Sequence, residues 1–290
     1  MHHLKMNRPI NWQFIRRALI LMLLVVLVAV IGISQLPPPL LSKLVMGAAR
    51  TFGPTPAPTP LLPTIDIPVG PQPAGPVGLE EWPQYQGGNY ERIGSGFLLK
   101  TENAIVGVTT AHSIQIGQPV RLLEHVAFRI PGQDAPVVIC DTLYGAPGIP
   151  ADAQKHTNLS IDYVLLKVET DAVISPELLL EPDPRGLPQP GERVILYSGL
   201  GDGQGNPLAI YGTAQAADEQ SVWALMDGSF EPGMMSGSPL LSAHTGKVVG
   251  MAIAVTPRRQ YWLMGFHPIN SIVEHVANAA DFPLIADYQP

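Results

Sequence analysis

The chain has 290 residues, 46% of them hydrophobic and only 14% charged, with 31 Pro and 28 Gly. That length accommodates one large or two small domains. The first 65 residues carry six Lys/Arg and no Asp/Glu, whereas the remainder carries 11 Lys/Arg against 24 Asp/Glu. So acidic a remainder lacks the cations that neutralise phosphates, and no basic run is interleaved with aromatics, which speaks against nucleic-acid binding. The single cysteine, Cys140, leaves no internal disulfide and no Cys-based zinc site. It stands in an apolar run, Pro136-Val-Val-Ile-Cys140, and reads as a buried packing residue.

Taken in order, residues 1–17 form a basic segment with Lys5, Arg8, Arg16 and Arg17. Residues 18–36 follow as a nearly unbroken apolar stretch, close to the roughly 20 residues that cross a bilayer as a helix. The basic flank predicts a cytoplasmic N-terminus and an extracytoplasmic remainder. A retained anchor is favoured over a signal peptide cleaved near Gly47-Ala-Ala49, because the apolar core exceeds the usual signal length. Residues 37–78 are Pro-rich and predict an extended, semi-rigid linker.

From about Leu79 short apolar or alternating runs recur between Gly, Pro, Asn and Asp. The expected strands are 94–99, 104–109, 120–123, 126–130, 137–142, 163–168, 194–198, 208–214, 221–226, 239–241, 248–254 and 261–266. Such spacing predicts an all-β sandwich or barrel architecture. One helix closes the chain, with Asn270 as its N-cap and Ile272, Val273 and Val276 on one face.

Three stretches carry chemistry. In Val106-Gly-Val-Thr-Thr-Ala-His112-Ser a histidine ends an apolar strand. In Ser160-Ile-Asp162-Tyr-Val-Leu-Leu-Lys-Val168 an aspartate precedes one. In Phe230-Glu-Pro-Gly-Met-Met-Ser236-Gly-Ser-Pro-Leu-Leu241 a serine occupies a tight turn before a third. Such a turn lifts a hydroxyl out of the backbone and aims successive N–H groups at one point, as acyl transfer requires. No H-E-x-x-H occurs, and the loop Gly199–Gly205 matches no phosphate-binding pattern, so no metal or cofactor is expected.

In order and setting these stretches resemble the T-A-A-H-C, D-I-A-L-L and G-D-S-G-G-P-L segments of trypsin/chymotrypsin-like serine peptidases. The ending, Gly265 to Val276, is similar to the last strand and closing helix of the disulfide-free bacterial branch, including the HtrA-type and glutamyl endopeptidases. The resemblance spans about 80–285 and implies two antiparallel β-barrels within 79–290, with a cleft between them. It implies Ser236 as nucleophile, His112 as general base and then acid, and Asp162 as the group that orients the imidazole. The oxyanion hole falls at Met234, Met235 and Ser236. Peptides or proteins are the implied substrates; the membrane enters through residues 18–36, and the sequence is silent on oligomeric state.

Two departures bear on this. Met234 stands where the family has the glycine that turns its N–H into the hole, and losing one such donor costs about 10²–10³ in rate. Met235 stands where the family has the aspartate that pairs with a freed N-terminus, which argues against activation by that switch. Phe230, or Ser229 or Glu231 in a turn one residue wider, is expected at the base of the specificity pocket, and Ile253, Ala254 and Val255 along its wall. Bulky Val255 predicts a shallow pocket for small or aliphatic side chains. The alternative to an active endopeptidase is a catalytically impaired module with the same fold that binds or scaffolds; a third and weaker reading is an esterase.

Overall fold

The computed structural model describes residues 62–115, 123–151, 158–202, 208–257 and 261–288. The basic segment, the apolar stretch 18–36 and the linker as far as residue 61 lie outside the described residues. Among those described, no helix is long and apolar enough to cross a membrane.

The described residues are all-β with two short α-helices. The first half contains β1 (Leu79–Tyr85), β2 (Gly94–Lys100), β3 (Ile105–Thr109), α1 (Ala111–Gln115), β4 (Leu123–Arg129), β5 (Pro136–Cys140), β6 (Val164–Lys167) and the two-residue β7 (Leu179–Leu180). The second contains β8 (Arg193–Ser198), β9 (Leu208–Ala217), β10 (Val222–Met226), β11 (Pro239–Ser242), β12 (Val248–Pro257), β13 (Trp262–Pro268) and α2 (Ile269–Asn278). The second set closes into a six-stranded barrel, β10-β13-β12-β11-β8-β9. The first forms a seven-stranded sheet, β5-β4-β1-β2-β3-β6, with β7 added beside β2.

Two closed barrels were the expectation, and the first is instead an open one. Its last strand, β6, meets the returning chain through a single bridge, Leu143 to Leu166, after β5 has already ended at Cys140. That contact is too short to make a ladder.

Several strands read as continuous apolar runs because each face serves a different core. In β2, Phe97 and Leu99 join the seam between the two halves while Leu98 faces the first sheet's own core. In β8, Ile195 and Tyr197 join the same seam while Val194 and Leu196 fill the closed barrel. A strand with both faces covered loses the apolar–polar alternation of a half-exposed one. Helix α2 lays Ile269, Ile272 and Val276 into this seam and so bolts the halves together. Its N-cap is Pro268 rather than Asn270, whose side chain instead packs against Gly186. In the first sheet Phe128 lies over Gly96 and Gly107. A Cβ at either glycine would come within 2.5 Å of its ring.

Strands β1 and β7 and helix α1 have no counterpart in the expected elements. β1 pairs with both β2 and β4 at the centre of its sheet, yet it reads Leu-Glu-Glu-Trp-Pro-Gln-Tyr, with two charges and a proline. Residues 62–78, within the predicted spacer, run along the closed barrel. The Ile65 and Gly70 N–H groups donate to the Gly191 and Ala243 carbonyls, both at 3.0 Å, and Val77 is fully buried in the seam. Cys140 is buried, and burial pushes its thiol up to about 12, so it is inert at neutral pH.

Glu81 on β1 is fully buried, and neither carboxyl oxygen finds a hydrogen-bond partner among the described residues. Burial pushes this carboxyl up to about 8, a rise only partly offset by the neighbouring Thr109 hydroxyl, whose proton goes to the Ser95 carbonyl. The folded chain therefore keeps a proton that the unfolded chain releases above 4.5. Stability from this group is complete below pH 4.5 and declines as pH rises toward 8, at up to about 1.4 kcal/mol per pH unit. Glu81→Gln, which keeps the shape without the proton, is expected to melt with a flatter pH dependence between pH 5 and 8 and to exceed wild type at the upper end. Parallel melting curves for the two proteins across that range would refute this.

Candidate active site

Both ends of the seam's strands deliver polar groups to one place. β3 ends at Thr109, and the chain turns at once into α1, a five-residue helix that carries His112. The turn is tied by the Thr110 and Ser113 hydroxyls, 2.6 Å apart, and is anchored by fully buried Ala111. Asp162 stands two residues before β6, which pairs with β3, so strand pairing sets the carboxylate beside the histidine. Ser236 arrives from the other half, in the turn before β11, and its carbonyl accepts a 2.9 Å hydrogen bond from the Ser95 N–H of β2.

His112 Nδ1 lies 2.7 Å from Asp162 Oδ2, and His112 Nε2 lies 2.8 Å from Ser236 Oγ. Asp162 is fully buried and also accepts from the His112 N–H at 3.1 Å and the Ala151 N–H at 2.8 Å. A carboxylate only accepts, so Nδ1 carries the proton and Nε2 presents its lone pair to the serine hydroxyl. The imidazole itself is about one quarter exposed (24%).

Met234 adopts φ 65°, the only positive value at a non-glycine among the described residues. The left-handed region costs a residue with a Cβ about 1–2 kcal/mol. Met234 thus takes a left-handed conformation that glycine would adopt without that cost. The Met235 N–H donates to the Pro232 carbonyl at 3.3 Å, so it is not a free donor. No acceptor for the Met234 or Ser236 N–H is found among the described residues. These two, not Met235, form the candidate donor pair. The Met235 side chain is buried in the core of the closed barrel.

The expected pocket residues separate into two groups. Ile253, Ala254 and Val255 line a cavity of about 20 Å³ beside Ser236, together with Pro232, Ala252 and Met264. Ser229, Phe230 and Glu231 do not line it. They border a different cavity of about 530 Å³ on the Met234 side, which also meets Glu80, Arg92 and Asp202. The Phe230 carbonyl is held there by the Trp262 indole N–H at 3.0 Å. Met264 was missed because its place follows from strand register alone: it pairs with Val255 across β12 and β13.

His267 was also missed. It is fully buried on β13, edge-on to Tyr163 and near enough to Asp162 to feel its charge. Burial pushes this imidazole down to about 4. It therefore stays neutral and leaves the carboxylate's charge to His112.

No protein-family model matches this sequence, and no curated protein matches it. Three solved structures have a similar chain course. Deg5 is 16% identical, with 70% of this chain and 88% of that chain covered and a TM-score of 0.43. The thermostable serine protease AL20, from an extremophilic microorganism, is 12% identical, with 69% and 95% covered and a TM-score of 0.47. Kallikrein-related peptidase 10, in a complex with Zn²⁺, is 15% identical, with 71% and 95% covered and a TM-score of 0.45.

Proposed function

We propose that the chain is a serine endopeptidase that works through an acyl-enzyme, with Ser236, His112 and Asp162 as its triad. The observation that carries this is the unbroken line from Asp162 Oδ2 through the imidazole to Ser236 Oγ, at 2.7 and 2.8 Å. Ser236 Oγ attacks the scissile carbonyl carbon while His112 Nε2 takes its proton. Asp162 holds the ring and stabilises the imidazolium. The Met234 and Ser236 N–H groups receive the oxyanion. The imidazolium then protonates the leaving amine, and water repeats the sequence on the ester carbonyl to release the acid and restore the serine.

The small cavity lined by Ala252–Val255 and Met264 supports a side chain no larger than alanine, serine or valine before the cleaved bond. The apolar stretch 18–36 supports a membrane tether that leaves the catalytic part extracytoplasmic. A binding module with lost activity is the competing reading, and Met234 is what favours it. The wild-type turn, with its left-handed Met234, weighs for the enzyme.

A fluorophosphonate probe is expected to label the wild-type chain at Ser236 and to spare Ser236→Ala; equal absence of label in both would favour the inactive module. A peptide library is expected to be cut after small residues, and cleavage after Arg or Lys would remove the pocket assignment. Carbonate washing of membranes is expected to leave the full-length chain bound, and its release would remove the tether.

A further inference from the structure

On the footing of the peptidase reading, we propose that Ser95 is a positioning residue for the oxyanion turn: its hydroxyl holds Met234 in the left-handed conformation on which the donor pair depends. Met234 bears a steric cost at φ 65° that glycine would not. Rotation about the Met234 N–Cα bond to an ordinary φ would carry the Met234 carbonyl, and with it the turn that bears Ser236, away from the Met234 N–H. Such a rotation takes the turn from a working hole to an empty one.

What opposes it is the next peptide along. Both polar groups of the Met234–Met235 peptide are held. The Met235 N–H donates to the Pro232 carbonyl at 3.3 Å, and the Met234 carbonyl accepts from Ser95 Oγ at 3.0 Å. Ser95 belongs to the other half of the molecule, 139 residues away in sequence, and is fully buried. Its remaining polar groups lock it in place: its N–H donates to the Ser236 carbonyl at 2.9 Å, and its carbonyl accepts from Thr109 Oγ1 at 3.0 Å. A Cβ added at Gly237 would sit 1.8 Å from the Ser95 carbonyl oxygen, so β2 and the turn touch without slack. With the Ser95 N–H and carbonyl engaged by Ser236 and Thr109, the hydroxyl is left to the turn. A brace of this kind is needed where a side chain occupies the left-handed position and is dispensable where glycine does.

That dependence makes a double-mutant cycle the test. Wild type, Ser95→Ala, Met234→Gly and the double variant are compared for kcat, KM, rate of fluorophosphonate labelling and melting temperature. Ser95→Ala is expected to lower kcat and labelling rate about 10–100-fold with little change in KM. In the Met234→Gly background the same change is expected to cost less than about threefold. Ser95→Cys keeps the volume with a weaker donor and is expected to fall between serine and alanine, which preserves the test if the alanine variant does not fold. A Ser95 effect of equal size in both backgrounds overturns the proposal, as does wild-type turnover in Ser95→Ala. A wild-type chain that takes no label overturns the peptidase reading and this proposal with it, whereas a labelled wild type with no coupling overturns this proposal alone.

Discussion

Ser236→Ala is expected to lower kcat by about 10⁵–10⁶-fold while KM stays near its wild-type value. The nucleophile contributes only once the bond to the substrate carbonyl forms, so its loss falls on turnover rather than on binding. Asp162→Asn should cost about 10⁴-fold through another route. The Asp162 carboxylate accepts from the His112 N–H, the Ala151 N–H and Nδ1. An amide nitrogen in place of one oxygen donates instead, which favours the tautomer with its proton on Nε2 and leaves Ser236 without a base. The residual rate of either variant measures what the Met234 and Ser236 N–H groups accomplish unaided. Turnover by Ser236→Ala at the wild-type rate would mean that another group is the nucleophile.

Arg185→Ala is expected to destabilise the fold by about 3–5 kcal/mol, because it strands two buried carboxylates. The guanidinium reaches Asp183 Oδ2 at 2.7 Å, Glu192 Oε1 at 2.8 Å and Ser242 Oγ at 2.9 Å. The Asp183 and Glu192 side chains are 0% and 1% exposed, sealed between the connection joining the two halves and the β11–β12 hairpin. Thr245 Oγ1 adds a 2.6 Å bond to Asp183. Burial by itself would raise both carboxyls, and the hydrogen bonds from Arg185, Thr245 and Ser242 outweigh it, so both lie below their ordinary values. Their contribution to stability is therefore complete above the unfolded values of 3.8 and 4.5 and is lost as pH falls through the lower folded ones. At pH 7 the variant should melt lower by about 2–4 °C per kcal/mol for a domain of this size. The gap should narrow as pH falls below 3.8 and the carboxyls of wild type take up protons. Arg185→Lys should rescue only in part, since a point charge cannot fork to two carboxylates. A melting temperature unchanged by Arg185→Ala at pH 7 would contradict this account.

Most strands are legible in the chain because their cause is local. Runs such as Val248–Ala254 and Val194–Ser198 are apolar, rich in β-branched residues and bounded by turn formers, and most appear within a residue or two of their expected ends; β12 continues to Pro257, β9 to Ala217, and β4 starts at Leu123. β1 is illegible for the converse reason. Its Glu80 and Glu81 look like surface residues, and only the strands on either side of it bury them. The chemical residues His112, Asp162 and Ser236 stand out by their settings, small residues and turns beside apolar strands. The pocket base does not, because Ser229, Phe230 and Glu231 are close to Ser236 in sequence but border another cavity.

By itself, then, the amino-acid order determined an all-β chain, the place of most of its strands and the three stretches that hold its polar chemistry. Each of those depends on neighbours a few residues away. Tertiary structure alone decided that the first barrel stays open, that Met264 rather than Phe230 borders the small cavity, and that Met234 can stand where glycine was expected. The first two follow from strand register, and the last involves a partner far along the chain, Ser95 to Met234 across 139 residues, as the meeting of His112 and Ser236 spans 124. No local pattern encodes a contact that exists only where the two halves of the molecule meet.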